Sequence, residues 1–209
     1  MGAGSEAGRK TWDTASNVAG FFALPVGVLG GQYLLSAGSG APVRYWAEDA
    51  VMIVETTVVS TVVNQAVKFV VGRERPFVHA LSEEQKGLIT EHKADKNLSF
   101  YSGHTNAAFS LVAAAGTVSH LRGYRHNRHS WVIWAVGIPA AASVGLMRMG
   151  ADKHYLTDVL VGAAAGTVFG VGMPLLMHVR MSNKTGTLAA DLSMRVSGAP
   201  GGFSRSGQF

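Results

Sequence analysis

No cysteine occurs in the 209 residues, so disulfides, thiolate nucleophiles and Cys-ligated zinc or iron–sulfur sites are excluded. Charge is scarce. Asp, Glu, Lys and Arg make up 15% of the chain, against about 25% in an ordinary soluble domain. That deficit, with an apolar fraction of 47%, excludes a disordered polyelectrolyte. Residues 1–10 are Gly/Ala/Ser-rich and lack an apolar core, so they do not form a standard secretory signal. No internal repeat is visible. Mean hydropathy is +0.19, between a typical soluble protein and a dense set of spanning helices.

The formal charge is +5 and the sequence pI about 9.7, which raises the question of a nucleic-acid partner. The positions of the cations answer it. Arg122, Arg125 and Arg128 share one loop with His120, His126 and His129, and only Tyr124 and Trp131 are nearby. A nucleic-acid groove interleaves cations with aromatics along an extended face. This cluster reads instead as a solvated helix–helix turn or, in a membrane protein, a cytoplasmic loop. No nucleic-acid partner is expected.

Five apolar segments organise the rest. The first runs without a charge from residue 14 to 43, interrupted by Pro25 and several glycines. The others cover residues 50–71, 105–121, 131–147 and 158–179. Each is long enough for a helix of about 25–30 Å at 1.5 Å per residue. Small residues crowd three of them, at Ala113–Gly116, Ala140–Ala142 and Gly162–Gly166, which lets helix backbones approach closely. The expectation is an all-α bundle of about five core helices, with a polar insert between the second and third. Ser82-Glu83-Glu84-Gln85 predicts a short helix in that insert. The domain reading is a flexible start over 1–13, a helical-bundle domain over 14–180 and a Gly/Ser-rich tail over 181–209. Leu192, Met194 and Val196 alternate with polar residues there, a weak strand pattern.

Three motifs carry chemistry. In KFVVGRERP, Lys68 and Arg75 lie seven apart, on one face if helical, and Pro76 is expected to end the helix. Two such cations grip an anion, or simply decorate a helix terminus. In SFYSGHT, Ser102 is a natural N-cap, Gly103 admits close backbone approach, and His104 is placed to give a proton. The plain alternative is a capped helix with a surface histidine. In RMGADKHYLTD, His154 and Asp158 are spaced i, i+4, so a carboxylate can fix the imidazole tautomer and free the other nitrogen for nucleophilic or base chemistry. Arg148 adds a cation. Singly, each pattern has an ordinary structural explanation. Together they meet at one end of an up-down bundle, because two helices separate the second motif from the third. The combined inventory suits a tetrahedral oxyanion such as phosphate.

These motifs resemble those of the type 2 phosphatidic acid phosphatase / vanadium haloperoxidase superfamily, whose pattern is K-x6-R-P, P-S-G-H and S-R-x5-H-x3-D. The resemblance covers about residues 50–174 with all spacings intact. Tyr101 and Met147 depart from the usual Pro and Ser. The resemblance implies that His154 is the nucleophile, forming a phosphohistidine. It implies that Asp158 orients His154, and that His104 is general acid and then base. Lys68, Arg75 and Arg148, with Ser102 and Gly103, would hold the phosphoryl oxygens. It implies no metal and no cofactor, with vanadate acting as an inhibitor. The substrate would be a phosphate monoester, or a lipid phosphate or pyrophosphate.

Two alternatives stand beside it. One is a vanadium-dependent haloperoxidase, with vanadate as prosthetic group. The other is a non-catalytic anion-binding membrane protein. The expected location is the cell envelope, embedded in or attached to the membrane with the site facing outward; a soluble periplasmic or secreted bundle is the alternative. The first apolar stretch is either a re-entrant pair broken at Pro25 or follows an upstream signal or helix. Glu55, Asn64 and Gln65 are expensive facing lipid and cheap facing protein or water.

Overall fold

The structure is a computed structural model. It describes residues 5–88, 95–123 and 130–197, with side chains as far as residue 177 apart from 87, 88 and 130. The chain divides into two units, Met1–Pro174 and Leu175–Phe209. The first begins with α1 (Glu6–Val18), a π-helical turn (Ala19–Ala23) and α2 (Leu24–Gly38), which form one uninterrupted helical stretch. Then follow α3 (Val43–Val71), the short α4 (Pro76–His79) and α5 (Glu83–Leu88), α6 (Gly103–Arg122), α7 (Ser130–Gly150) and α8 (Leu156–Ser197). The described residues are thus all-α, with five long helical stretches and two short helices in the polar insert.

Several boundaries differ from expectation. The start is helical from Glu6, because Ser5 caps it by accepting the Gly8 N–H at 3.2 Å. Pro25 does not break the first stretch. It lies just after the π-helical turn Ala19–Ala23 and the helix runs on through it, so there is no re-entrant pair. Pro76 does not end α3; Gly72 does, in the left-handed conformation at φ 60°, and Pro76 opens α4. In the second unit, Leu192, Met194 and Val196 lie in α8 rather than a strand. Five alternating residues are a short signal, Ala189, Ala190 and Leu192 favour helix, and no strand among the described residues offers a pairing edge. The insert helix does start at Ser82. Its hydroxyl accepts the Gln85 N–H while Gln85 Oε1 accepts the Ser82 N–H, a reciprocal capping box. Arg125, Arg128, His126 and His129, read above as a basic loop, lie outside the described residues, as does His92.

The interior mixes apolar and polar side chains, and the outward faces are apolar. On α3 the buried positions are Asp49, Ile53, Thr56, Ser60, Asn64 and Lys68, spaced three and four apart along one face. The opposite face exposes Val51, Val54, Val58, Val62 and Phe69. A soluble helix shows the reverse arrangement. Among the described residues, four helical stretches are long and apolar enough to cross a membrane: Glu6–Gly38, Val43–His79, Trp131–Gly150 and Leu156–Met177. We read the chain as a membrane protein on this pattern. Asn64 is buried and Gln65 lines a cavity, whereas Glu55 lies exposed on the outer face of α3.

Helix α6 runs through the middle, and every residue from Ser110 to Ser119 is buried. Its polar side chains meet those of α2 and α3. Ser60 donates to Asn106, Ser119 donates to Gln32, and Arg122 binds both Asp49 (2.7 Å) and Glu48 (2.9 Å). Helix α8 packs directly on the α6 backbone. A Cβ at Gly162, Gly166 or Gly170 would run into Ser102 O, Asn106 O or Ser110 O respectively. Replacing Gly166 with Ala should therefore cost about 1–3 kcal/mol of stability through overpacking. The matched change Gly172→Ala meets nothing within 4 Å and should cost none. Thermal unfolding of the two variants in detergent is the check.

Candidate active site

The three motifs are laced together by backbone hydrogen bonds. After Gly72 the chain is extended, and Arg73 O accepts Ser99 N–H while Arg75 N–H donates to Lys96 O, both at 2.9 Å. Ser102 N–H donates to Asp158 O at 3.0 Å. Lys68 and Arg75 therefore converge through the turn at Gly72, not through helical periodicity. The result is a cavity of about 380 Å³, whose lining includes Lys68, Arg75, Gly103, His104, Arg148 and His154. Lys68, Arg75, Arg148 and His154 are each more than 90% buried.

His154 precedes α8 instead of lying within it. Its Nδ1 is 2.8 Å from Ser99 O, an atom that only accepts, so Nδ1 carries the proton and Nε2 holds a lone pair. Asp158 Oδ2 stands farther off, 3.8 Å from Nδ1. The tautomer is thus set first by a carbonyl and only secondarily by the carboxylate. Asp158, fully buried in the first turn of α8, accepts from Ser99 Oγ (2.6 Å), Tyr155 N (3.0 Å) and Arg73 (2.7 Å).

The groups expected to hold an anion differ in their engagement. Lys68 has no hydrogen bond or ion pair among the described residues, and its ammonium lies over Gly103. A side chain at Gly103 would strike Asn64 Oδ1, which explains the glycine. Arg75 holds Asp95 through Nε and Nη2. Arg148 holds Asp13 and Ser16. Ser102 caps α6, its Oγ accepting from Thr105 N and Thr105 Oγ1. It is fully buried and is not part of the cavity wall. His104 Nε2 sits 2.8 Å from Asn17 Oδ1, and its ring is 4.6 Å from that of Phe21. Among the described residues no group of three or more His, Asp or Glu is placed to hold a metal ion.

Sequence reasoning missed several members. Lys153 lines the cavity beside His154, and Asp95 enters from the end of the insert. Ser99 and Arg73 stood within the quoted motifs but carried no expected role. Asp13 closes the stretch 1–13 that the sequence pattern reads as a flexible start. Its only signal was its position as the last charge before a long uncharged helix.

The PAP2 superfamily sequence pattern matches residues 49–182. The chain belongs to the PAP2 superfamily. No curated protein matches it. A solved transmembrane PAP2-type phosphatidylglycerolphosphate phosphatase from Bacillus subtilis is similar at 18% identity, over 86% of this chain and 88% of that one, with a TM-score of 0.48. The PAP2 match includes all three motifs. It begins at Asp49, so Asp13, Asn17 and Phe21 enter the cavity from outside the matched segment.

Burial pushes the His154 imidazole down from 6.5 to about 4, helped by Arg75, Arg148 and Lys68 and opposed by Asp158. The neutral form is therefore held across weakly acid pH. The unfolded chain takes up a proton near pH 6.5 that the folded one refuses until about 4. His154 thus contributes a stability that rises with pH across that window and is lost as pH falls through it. Replacing His154 with Asn should flatten the pH dependence of stability between about 4 and 6.5, by up to about 1.4 kcal/mol per pH unit. Thermal unfolding of both proteins at pH 4.5 and 7 measures it.

Proposed function

We propose that this PAP2-superfamily protein is a phosphatase that hydrolyses phosphate monoesters or lipid phosphates through a phosphohistidine. The observation that carries the reading is a buried neutral imidazole with its Nδ1 proton on Ser99 O, facing a cavity lined by Lys68, Arg75 and Arg148. In the first step His154 Nε2 attacks phosphorus and the P–O bond to the leaving group breaks, the alkoxide taking a proton from His104. In the second, His104 accepts a proton from water, which attacks phosphorus. The P–N bond breaks, and phosphate and the free imidazole are regenerated.

The cations would hold the equatorial oxygens and stabilise charge as it develops in transfer. The first-turn N–H groups of α6 at Gly103 and His104 would add donors. Asp158 offsets the positive charge that grows on His154. Ser102 acts through the shape of the α6 start rather than by touching the substrate.

Two features favour a lipid substrate. The cavity lies among helices able to cross a bilayer. A second, apolar cavity of about 400 Å³ opens between α2 and α7, lined by residues such as Ala23, Gly27, Val136 and Ala140. It begins on the same helical stretch that carries Phe21. For orientation, the basic end of α6 is expected in the cytoplasm by the positive-inside rule. The site, at the start of this 20-residue helix, would then lie about 30 Å away and face outward.

Phosphate release from a panel of lipid phosphates, a prenyl pyrophosphate and an aryl phosphate tests the reading. His154→Asn should reduce release to background without loss of fold. Arg75→Ala should lower kcat/KM by about 10²–10³. Vanadate, a trigonal-bipyramidal mimic, should inhibit competitively. Substantial turnover by His154→Asn would exclude the phosphohistidine route. Bromide oxidation with added vanadate would favour the haloperoxidase alternative.

A further inference from the structure

We infer that helix α1 is a working part of the active site, with Asp13 a positioning residue that sets the guanidinium of Arg148 toward the phosphoryl group. This rests on the reading of Arg148 as a phosphate ligand. Arg148 is 5% exposed and lines the cavity. Its Nη1 donates to Asp13 Oδ1 at 2.5 Å and to Ser16 Oγ at 3.1 Å. Ser16 is itself fully buried, and its hydroxyl donates to Asp13 O, which leaves its oxygen turned to Arg148. On the other edge, Arg148 Nε is buried without a hydrogen-bond partner.

A guanidinium grips two oxygens of a tetrahedral anion through the edge formed by Nε and Nη2. Asp13 and Ser16 hold the opposite corner, Nη1. They hold the group at Nη1, while Nε on its other side has no partner within the protein. A buried donor with no partner costs free energy that an incoming oxygen recovers. Arg75 shows the contrast. Its Nε and Nη2 both go to Asp95, so its gripping edge is occupied by the protein itself.

The same helix reaches the second reacting group. Asn17 Oδ1 meets His104 Nε2, and Phe21 packs on the His104 ring. Residues 13, 17 and 21 recur every four positions, so one face of α1 and the π-helical turn serves both Arg148 and His104.

Equilibrium binding of vanadate to the full chain in detergent, read by isothermal titration, tests the role of Asp13. Asp13→Ala should weaken binding about tenfold. Asp13→Asn keeps an acceptor oxygen and should recover part of the loss. In an Arg148→Ala background, Asp13→Ala should cause no further weakening. Glu6→Gln, at the exposed start of the same helix, should leave binding unchanged. Simple charge removal predicts the opposite sign, since loss of a carboxylate near an anion site tightens binding. Tighter binding by Asp13→Ala, wild-type binding by it, or additive losses in the double variant would each overturn the inference. A wild-type protein that neither binds vanadate nor releases phosphate defeats the phosphatase reading itself. A wild type that does both, beside indifferent Asp13 variants, defeats only this inference.

Discussion

Asp158 is fully buried at the active end of a bundle built for a bilayer, and a charge in that position is retained only where donors surround it. Its carboxylate takes the Ser99 hydroxyl, the Tyr155 amide and the Arg73 guanidinium, and its own carbonyl takes the Ser102 amide. Those partners belong to all three motifs. The carboxylate is therefore a structural knot as well as an electrostatic support for His154. It sets Ser99, whose carbonyl accepts the Nδ1–H hydrogen bond of His154 and so leaves the lone pair on Nε2.

The same principle of burying polarity and exposing apolar surface governs the whole of α3. Its inward face grades from Asp49 at one end, through Thr56, Ser60 and Asn64, to Lys68 at the other. The Asp49 end is closed by Arg122, Gln32 and Ser119 into a paired network. The Lys68 end opens into the cavity, where the ammonium has no hydrogen bond or ion pair among the described residues. One helix thus carries, about five turns apart, a carboxylate paired within the protein and an ammonium that faces the cavity.

Much of this was legible in the sequence, for definite reasons. The apolar runs and small-residue clusters specified five helical stretches, because both signals depend only on local spacing. The three motifs specified which side chains meet, because parity in an up-down bundle places helix ends together. What the sequence left obscure was how the groups meet. A left-handed Gly72, rather than the shared helical face that seven-residue spacing suggests, brings Arg75 beside Lys68. Ser99 O reaches His154 before Asp158 does, a contact made by backbone and therefore invisible to residue type. Asp13 and Asn17 act across more than 85 positions of chain, and no local pattern reports such a distance. Ser102 illustrates the converse: its residue type suited two roles, and the geometry used the hydroxyl for the cap.

The glycine seam between α6 and α8 has a consequence for how the enzyme tolerates change. His104 opens α6 and His154 stands just ahead of α8, so the gap between the two imidazoles is set by how closely two rods lie. Gly162, Gly166 and Gly170 let those rods touch backbone to backbone over about two turns. A methyl group inserted anywhere on that line acts as a wedge, and its effect at the far end is magnified by leverage along the helix. Substitutions well below the cavity are thereby able to act as catalytic lesions without touching a reacting atom.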